Sequence, residues 1–449
     1  MKTKTDIKAH ILIGLGYGDE GKGTMTDYLC RLHNVKLVVR YNGGSQAAHN
    51  VVTDDGRHHT FAQIGSGSFV PGVKTLLSRF MLLDPMALAH EVADFSPKIG
   101  ENALNRHFVD RFTPIITPFH VATNCIREWS RGNGKHGSCG KGIGETASDL
   151  VYFKDQILRA GMLSDARVAK KLLIQIQERK RAELISSGIS LEDVPAYLQG
   201  MVRIINGNGE ADKVVEAYLA LSKEFNIIDE SAVSRMIRNE SVVFEGAQGM
   251  LLDEWHGFHP FTTWSTLTAE NALAILADAS FAGDREVVGI TRAFATRHGA
   301  GPFVTEDVAM RKMLQGEHNG RNTWQGNFKV GKLDTVQLRY ALDCLRKTGA
   351  VDTIALTHMD LVGGPEGKGI QYCNAYQVEG EKVERLEPKF DHDLSYQQRL
   401  TDTLFKARAL VGGSIKTPEE VVGCIERVSG VKVKYLSFGQ KSGDKSYIF

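Results

Sequence analysis

The sequence predicts an α/β fold, a single large domain with a central, mostly parallel sheet and helical insertions. Three observations lead there. Apolar, β-branched runs recur at residues 11–14, 35–39, 242–244, 287–290, 351–356 and 431–436, the length of buried strands. Helical patterns lie between them: in 335–347, Val336, Leu338, Ala341, Leu342 and Leu345 share one face, and 165–186 is a long Lys/Arg/Glu-rich stretch. The 46 glycines gather at the ends of apolar runs, where backbone turns tightly or approaches a ligand. Strands alternating with helices place the ligand site at the carboxyl ends of the strands.

The chain of 449 residues has no internal repeat, low-complexity tract or proline-rich linker, so one domain over 1–449 is expected, with a helical insertion at about 150–239. That insertion shows helical pattern and no convincing strand. Its basic run, Lys170, Lys171, Arg179, Lys180 and Arg181, reads as a solvated helix face. No run approaches the roughly 18 apolar residues of a membrane span. The net charge of +1 lacks the basic footprint that nucleic acid or an anionic membrane would need, which turns attention to small ligands. Six scattered cysteines without CxxC spacing, and an N-terminus without an apolar leader, lead us to expect a reduced, cytoplasmic protein without structural zinc. His10, His33, His58, His59 and His90 show no metal-ligand spacing and read as surface or capping residues.

Directly after the first strand run comes GYGDEGKGT, Gly16 to Thr24, a GxxxxGK pattern followed by a helical pattern. Gly18, Gly21 and Gly23 let backbone N–H groups converge on phosphate oxygens, the helix adds its positive end, and Lys22 adds a point charge. Gly23 stands where Ser or Thr would hold magnesium, leaving Asp19 as the nearest hard oxygen ligand. A carboxylate among phosphates repels them unless a cation or proton intervenes, so Asp19 is a candidate for metal binding, proton abstraction, or both. Glu20 reads as a hydrogen-bond acceptor within the loop.

Here the chain resembles the adenylosuccinate synthetase family, whose first motif is GDEGKGK. The resemblance continues in order: RYNGGSQAAHN (40–50) is similar to RYQGGxNAGHT, GSCGKGIG (137–144) to GTTGRGIG, and FEGAQGMLLD (244–253) to FEGAQGTLLD, with PFTT (260–263) following. TRHGAGPFVTE (296–306) is similar to TRVGxGPFPTE, and GKLDT (331–335) to GWLDT. The resemblance implies a two-step reaction. GTP phosphorylates the 6-oxygen of IMP, and the amine of aspartate then displaces the phosphate to give adenylosuccinate, GDP and phosphate. It also implies Mg2+ as cofactor, Asp19 as general base and metal ligand, the carbonyl of Ala48 as a second metal ligand, His49 as donor to the γ-phosphoryl group, and Gln248 at the activated 6-position. The GTP site would comprise Gly18, Glu20, Gly21, Lys22, Gly23, His358, Asp360, Ser437 and Gly439. The purine monophosphate would be held by Gln46, Ser138, Cys139 and Thr263. A homodimer is implied, in which one subunit lends an arginine to its neighbour; whether Arg159 is that residue stays open.

The chain also departs from the pattern. Gln46 replaces Asn, and Ser138 and Cys139 replace two Thr; a thiol donates weakly. Beside Lys141, Cys139 is a reactive thiol or, our preferred reading, an inert structural one. Before GKLDT the family has an arginine cluster that grips aspartate's carboxylates, whereas this chain reads TWQGNFKVGK (323–332). Lysine is no bidentate substitute for a guanidinium fork. Arg297, Thr323 and Lys329 are therefore the candidates for the amine-donor site, with Arg321 as a further compensating residue, and the donor is aspartate held differently or another amine. Trp324 and Phe328 are core or lid residues, or a new wall of that site. The guanine-reading KxD appears as His358-Met-Asp360, keeping the carboxylate, and the family's PD after Gly439 becomes Gln440 and Lys441. A paralogue acting on another purine monophosphate such as dGMP, and a purine-nucleotide sensor without turnover, are the alternatives.

Overall fold

The computed structural model describes residues 7–314, 327–363 and 369–448. All six expected runs are strands of one sheet, Lys8–Gly14, Leu37–Arg40, Val242–Gly249, Asp284–Arg292, Thr353–Thr357 and Val433–Ser437. Across the sheet the order is Lys445–Tyr447, Val433–Ser437, Thr353–Thr357, Asp284–Arg292, Lys8–Gly14, Val242–Gly249, Leu37–Arg40, Lys74–Leu77, His107–Asp110 and Asn226–Ile228. Every described pairing is parallel except that of Lys445–Tyr447, which runs antiparallel along one edge.

The strand Lys8–Gly14 lies in the middle of the sheet and is covered on both faces, which explains its unbroken apolar run. Side-chain alternation sends Ile11 and Ile13 into one core with Phe244 and Val336, and Leu12 into the other with Val38, Val243, Val288 and Ala355. Met25 and Leu29 of the helix Lys22–Leu32 close that second core. The helix Thr335–Leu345 begins where the Asp334 side chain accepts from the N–H groups of Val336 and Gln337. Asp165 caps Ala166–Ser186 in the same way.

Two expectations fail in the segment 150–239. It is not free of strand, because Asn226–Ile228 joins the edge of the main sheet; three residues, the first of them exposed, are too few for a period to show. Nor is its basic run wholly solvated. Lys180 is fully buried, with Nζ 2.7 Å from Asp149 Oδ1 and 2.9 Å from Glu183 Oε2, and Arg179 Nη2 lies 2.6 Å from Asp149 Oδ2. His120 Nε2 adds a contact of 3.1 Å to the same carboxylate. Burial would raise the pKa of Asp149, but His120 and Lys180 outweigh it and hold the group well below the ordinary carboxylate range. The cluster ties Ile143–Tyr152 to Pro118–Ser130 and Ala166–Ser186, and so fixes the loop 137–142 between them. His10 and His59 are buried as well: His10 stacks on His33 and pairs with Glu286 at 3.0 Å, and His59 packs on Phe61 and Phe95.

Asp253 closes the segment after Val242–Gly249. Its carboxylate accepts from the N–H groups of Trp255, His256 and Leu267, yet burial outweighs these bonds and lifts its pKa to about 6. The folded state therefore binds a proton more tightly than the unfolded chain, and the stabilisation, complete below pH 3.8, is lost as pH rises to about 6. Asp253→Asn, which cannot titrate, should gain in Tm relative to the wild type between pH 4 and 6 and hold that gain above pH 6. Calorimetry across this range checks it; a constant difference in Tm would rule out the linkage.

Candidate active site

The strand Lys8–Gly14 runs into the glycine loop, which turns into the helix Lys22–Leu32 at Gly21, with φ 89°. Within the loop the N–H groups of Gly16 and Gly18 donate to Glu20 Oε1 at 3.0 and 2.7 Å, and Lys22 Nζ donates to Glu20 Oε2 at 2.5 Å. Two amides and an ammonium thus converge on a single anionic group, the arrangement a phosphate needs. Gly23 has a steric reason to lack a side chain: a Cβ there would lie 2.6 Å from His49 Cβ and 3.1 Å from Ser66 Oγ.

Asp19, Gln248 and His358 all hold left-handed backbone, with φ of 60°, 58° and 58°. Non-glycine residues in this region cost about 1–3 kcal/mol each and concentrate at functional sites. Asp19 and His358 stand beyond the carboxyl ends of parallel strands, and Gln248 is the penultimate residue of one, Val242–Gly249. Asp19 Oδ2 lies 3.0 Å from His298 Nε2, and the Asp19 backbone oxygen accepts from Arg292 Nε. Burial alone would raise the pKa of Asp19, but His298, then Arg292 and Lys22, bring it down to about 2, so the carboxylate is ionised at neutral pH.

His49 is aimed by a buried acid. Its Nδ1 lies 2.6 Å from Glu245 Oε1, and Glu245 also accepts from the N–H of Ser66 at 2.9 Å and from the Ser66 hydroxyl. Burial lowers the pKa of His49, so the imidazole is neutral and Nδ1–H donates to Glu245. Burial would raise the pKa of Glu245, but the charge of fully buried Arg40 and the bonds from His49 and Ser66 hold it down.

The expected monophosphate residues fall into two groups. Gln46 Nε2 donates to Gln248 Oε1 at 3.3 Å, joining the second motif to the fourth. Ser138 exchanges hydrogen bonds with Asn124, which also receives the N–H of Gly142. Beside it, burial raises the pKa of Cys139, as in an inert thiol. The loop 137–142 abuts the loop 299–301 so closely that a Cβ at Gly137 would lie 2.8 Å from the Ala300 nitrogen. Thr263 is half-buried, its N–H donating to Leu252 O.

Of the residues expected at the amine-donor site, Arg297 and Lys329 face each other across the antiparallel pair Ala295–Arg297 and Lys329–Gly331. Arg297 is buried, however, with Nη1 and Nη2 donating to the carbonyls of Pro302 and Ala300 and its guanidinium over the Tyr17 ring. It holds the 300–302 loop in shape. Burial lowers the pKa of Lys329, and Lys332 is engaged by Asp307 at 2.8 Å. Thr323, Arg321 and Trp324 lie outside the described residues.

Among the residues expected to hold the nucleotide base, Thr353–Thr357 and Val433–Ser437 are neighbours in the sheet, which brings His358 and Asp360 alongside Ser437 and Gly439. His358 is half-buried with its ring edge-on to Phe294, while Asp360 is exposed. Ser437 donates to Gly439 O at 3.0 Å. Thr24, where the family has lysine, donates through Oγ1 to Gln440 O at 2.9 Å, and Lys445 Nζ reaches Lys441 O at 2.6 Å. The phosphate-loop helix and the terminal loop are stitched together by residues that both depart from the family pattern.

Sequence reasoning singled out neither Glu245, Arg292 nor His298 as functional. For Glu245 the signal was present: an acid inside the apolar run VVFEG has to find buried partners. Arg292 follows a buried run in the same way, and His298 stands where the family pattern has valine.

The family model for adenylosuccinate synthetase matches residues 11–445. Adenylosuccinate synthetase of Saccharopolyspora erythraea is 33% identical over 389 residues, covering 84% of this chain and 83% of its own length. That of Vibrio cholerae is 31% identical over 450 residues, covering 96% and 95%. Among solved structures, fully ligated adenylosuccinate synthetase from Plasmodium falciparum superposes with a TM-score of 0.76 at 20% identity over 99% of this chain and 100% of that one. The succinoaminodeoxyadenylate synthetase of cyanophage S-2L, bound to dGMP and to dATP as an energy donor, gives 0.57 at 16% identity over 98% and 95%. With a match spanning nearly every residue, the chain belongs to the adenylosuccinate synthetase family, a family of ligases.

Proposed function

We propose that the protein uses GTP to join the 6-position of a purine nucleotide, IMP, to the amine of aspartate, giving adenylosuccinate, GDP and phosphate. The observation that carries this reading is Asp19, an ionised carboxylate set in a loop whose amides and lysine gather an anion. An amide-like oxygen leaves poorly until it is phosphorylated, so the purine N1 proton must be removed as the γ-phosphoryl group arrives. Asp19 takes that proton and the 6-oxygen becomes the nucleophile. When nucleotide binds, Lys22 and the amides of Gly16 and Gly18 exchange the Glu20 carboxylate for phosphate oxygens and neutralise charge on the transferring group. His49, neutral without nucleotide, becomes imidazolium beside a triphosphate while Glu245 behind it supplies the counter-charge, and Nε2–H then donates to the phosphoryl oxygens. Gln248, held by Gln46, faces the 6-position; the amine attacks C6 and phosphate leaves. Asp360, as in the family's KxD, would read guanine.

The donor set suits magnesium. Among the described residues no cluster of three or more His, Cys, Asp or Glu could hold a metal unaided, and magnesium is commonly held by one or two carboxylates together with substrate phosphates. Asp19 and the carbonyl of exposed Ala48 would hold it, and when bound it would offset phosphate charge. No helix among the described residues is long and apolar enough to cross a membrane, and a cytoplasmic homodimer accompanies this reading.

One observation favours a second reading. Arg297 is committed to backbone carbonyls, so no free guanidinium is described at the amine-donor site, which fits another amine or another purine monophosphate. Phosphate release with GTP and magnesium, measured for IMP, dGMP and GMP against aspartate, other amino acids or no amine, with products weighed by mass spectrometry, decides. A succinylated purine from IMP and aspartate is expected. Turnover only with another pair would establish the second reading, and tight GTP binding without turnover would establish a sensor.

A further inference from the structure

The general base has a partner that the family pattern does not supply. At the valine of TRVG this chain has His298, whose Nε2 lies 3.0 Å from Asp19 Oδ2. An ionised carboxylate only accepts, so Nε2 holds the proton and donates it. His298 Nδ1 is buried without a hydrogen-bond partner among the described residues, which leaves Asp19 as the polar contact that sets the ring. The ring is backed by Phe328, 1% exposed, at a centroid distance of 4.7 Å. Phe328 directly precedes Lys329–Gly331 and His298 directly follows Ala295–Arg297, so the same antiparallel pair sets both rings. Arg292 touches Asp19 only through its backbone oxygen, and Lys22 is spent on Glu20. Among the described residues His298 is therefore the side chain that holds this carboxylate.

We propose that His298 is a positioning residue for Asp19: it pins Oδ2, so that Oδ1 is the oxygen presented to the N1 proton of the acceptor purine. The assignment rests on the reading of Asp19 as the base. A carboxylate on a loop otherwise rotates about χ1 and χ2, and each unproductive rotamer lowers the fraction of complexes poised for proton transfer. Phe328 and His298 form a rigid arm that removes this freedom, and valine has no donor with which to do so.

The test compares His298→Val, His298→Gln and Phe328→Leu with the wild type, using the substrate pair that the wild type turns over. His298→Val should lower kcat by about 10–100-fold, the usual cost of losing a group that orients a reacting one, with KM for GTP and for the monophosphate held within about threefold. His298→Gln keeps an N–H donor in place of Nε2–H and should recover most of the loss. Phe328→Leu leaves the donor but loosens its backing and should fall between them. Crystal structures of the wild type and His298→Val add a readout independent of turnover: one Asp19 rotamer is expected in the first, and a different or divided one in the second. Equal losses in the Val and Gln variants, a change confined to KM, or the same Asp19 rotamer in both structures would overturn the proposal. A wild type that turns over no purine pair would instead refute the functional reading, and the two crystal structures would still decide whether His298 pins the carboxylate.

Discussion

Asp19→Asn should lower phosphate release by about 10²–10⁴-fold, the span a positioned general base contributes, while GTP still binds. The substitution is a clean one. Asparagine tolerates the left-handed backbone at φ 60°, so the loop keeps its shape, and the amides of Gly16 and Gly18 answer to Glu20 rather than to residue 19. What disappears is the proton acceptor, the charge that faces His298 and the carboxylate that would hold magnesium. Steady-state phosphate release, paired with titration of a fluorescent GTP analogue, measures both. A rate within about threefold of the wild type would remove Asp19 as the base, and lost nucleotide binding would reassign it to the GTP site.

Glu245→Ala should be the most damaging single change to stability. Its carboxylate is fully buried and answers the Ser66 amide, the Ser66 hydroxyl, His49 Nδ1 and the nearby charge of Arg40. Arg40 is fully buried too, with Nε and Nη2 lacking hydrogen-bond partners among the described residues, so removing the acid strands a cation in the core. Leaving a buried charge uncompensated costs about 3–5 kcal/mol. Glu245→Gln keeps an acceptor for His49 and should lose less stability, but it cannot supply the counter-charge for an imidazolium, so its kcat should still fall. Thermal melting and phosphate release on both variants separate the two roles. A Gln variant with unimpaired kcat would show that Glu245 orients His49 without charging it.

The sheet was legible because its central strands are covered on both faces, which leaves unbroken apolar runs such as ILIG and VVF. Strands toward the edges were not. His107–Asp110 is four residues beginning with a buried histidine, and Arg408–Ile415, which pairs with Ile370–Val378 in a separate sheet, is half exposed, with two glycines. The site divides along similar lines. Glycine geometry announces a phosphate cradle by itself, whereas the partners that tune it come from strands 200 to 300 residues away, as with the bond from Arg292 to the Asp19 carbonyl across 273 positions. Lys180 misled for the same reason: its neighbours in sequence are charged, and its neighbours in space, Asp149 and Glu183, are charged as well.

The stitch between Thr24 and Gln440 spans 416 positions. A ribosome therefore completes the glycine loop long before it supplies the terminal loop, and on the proposed reading the chain lacks the base-contacting half of its nucleotide site for most of synthesis. A nucleotide that binds the finished arrangement better than its precursors would stabilise the native state in proportion to the logarithm of its concentration over Kd. With GTP as the proposed substrate, the nucleotide would thus also act as a folding ligand for the newly made chain.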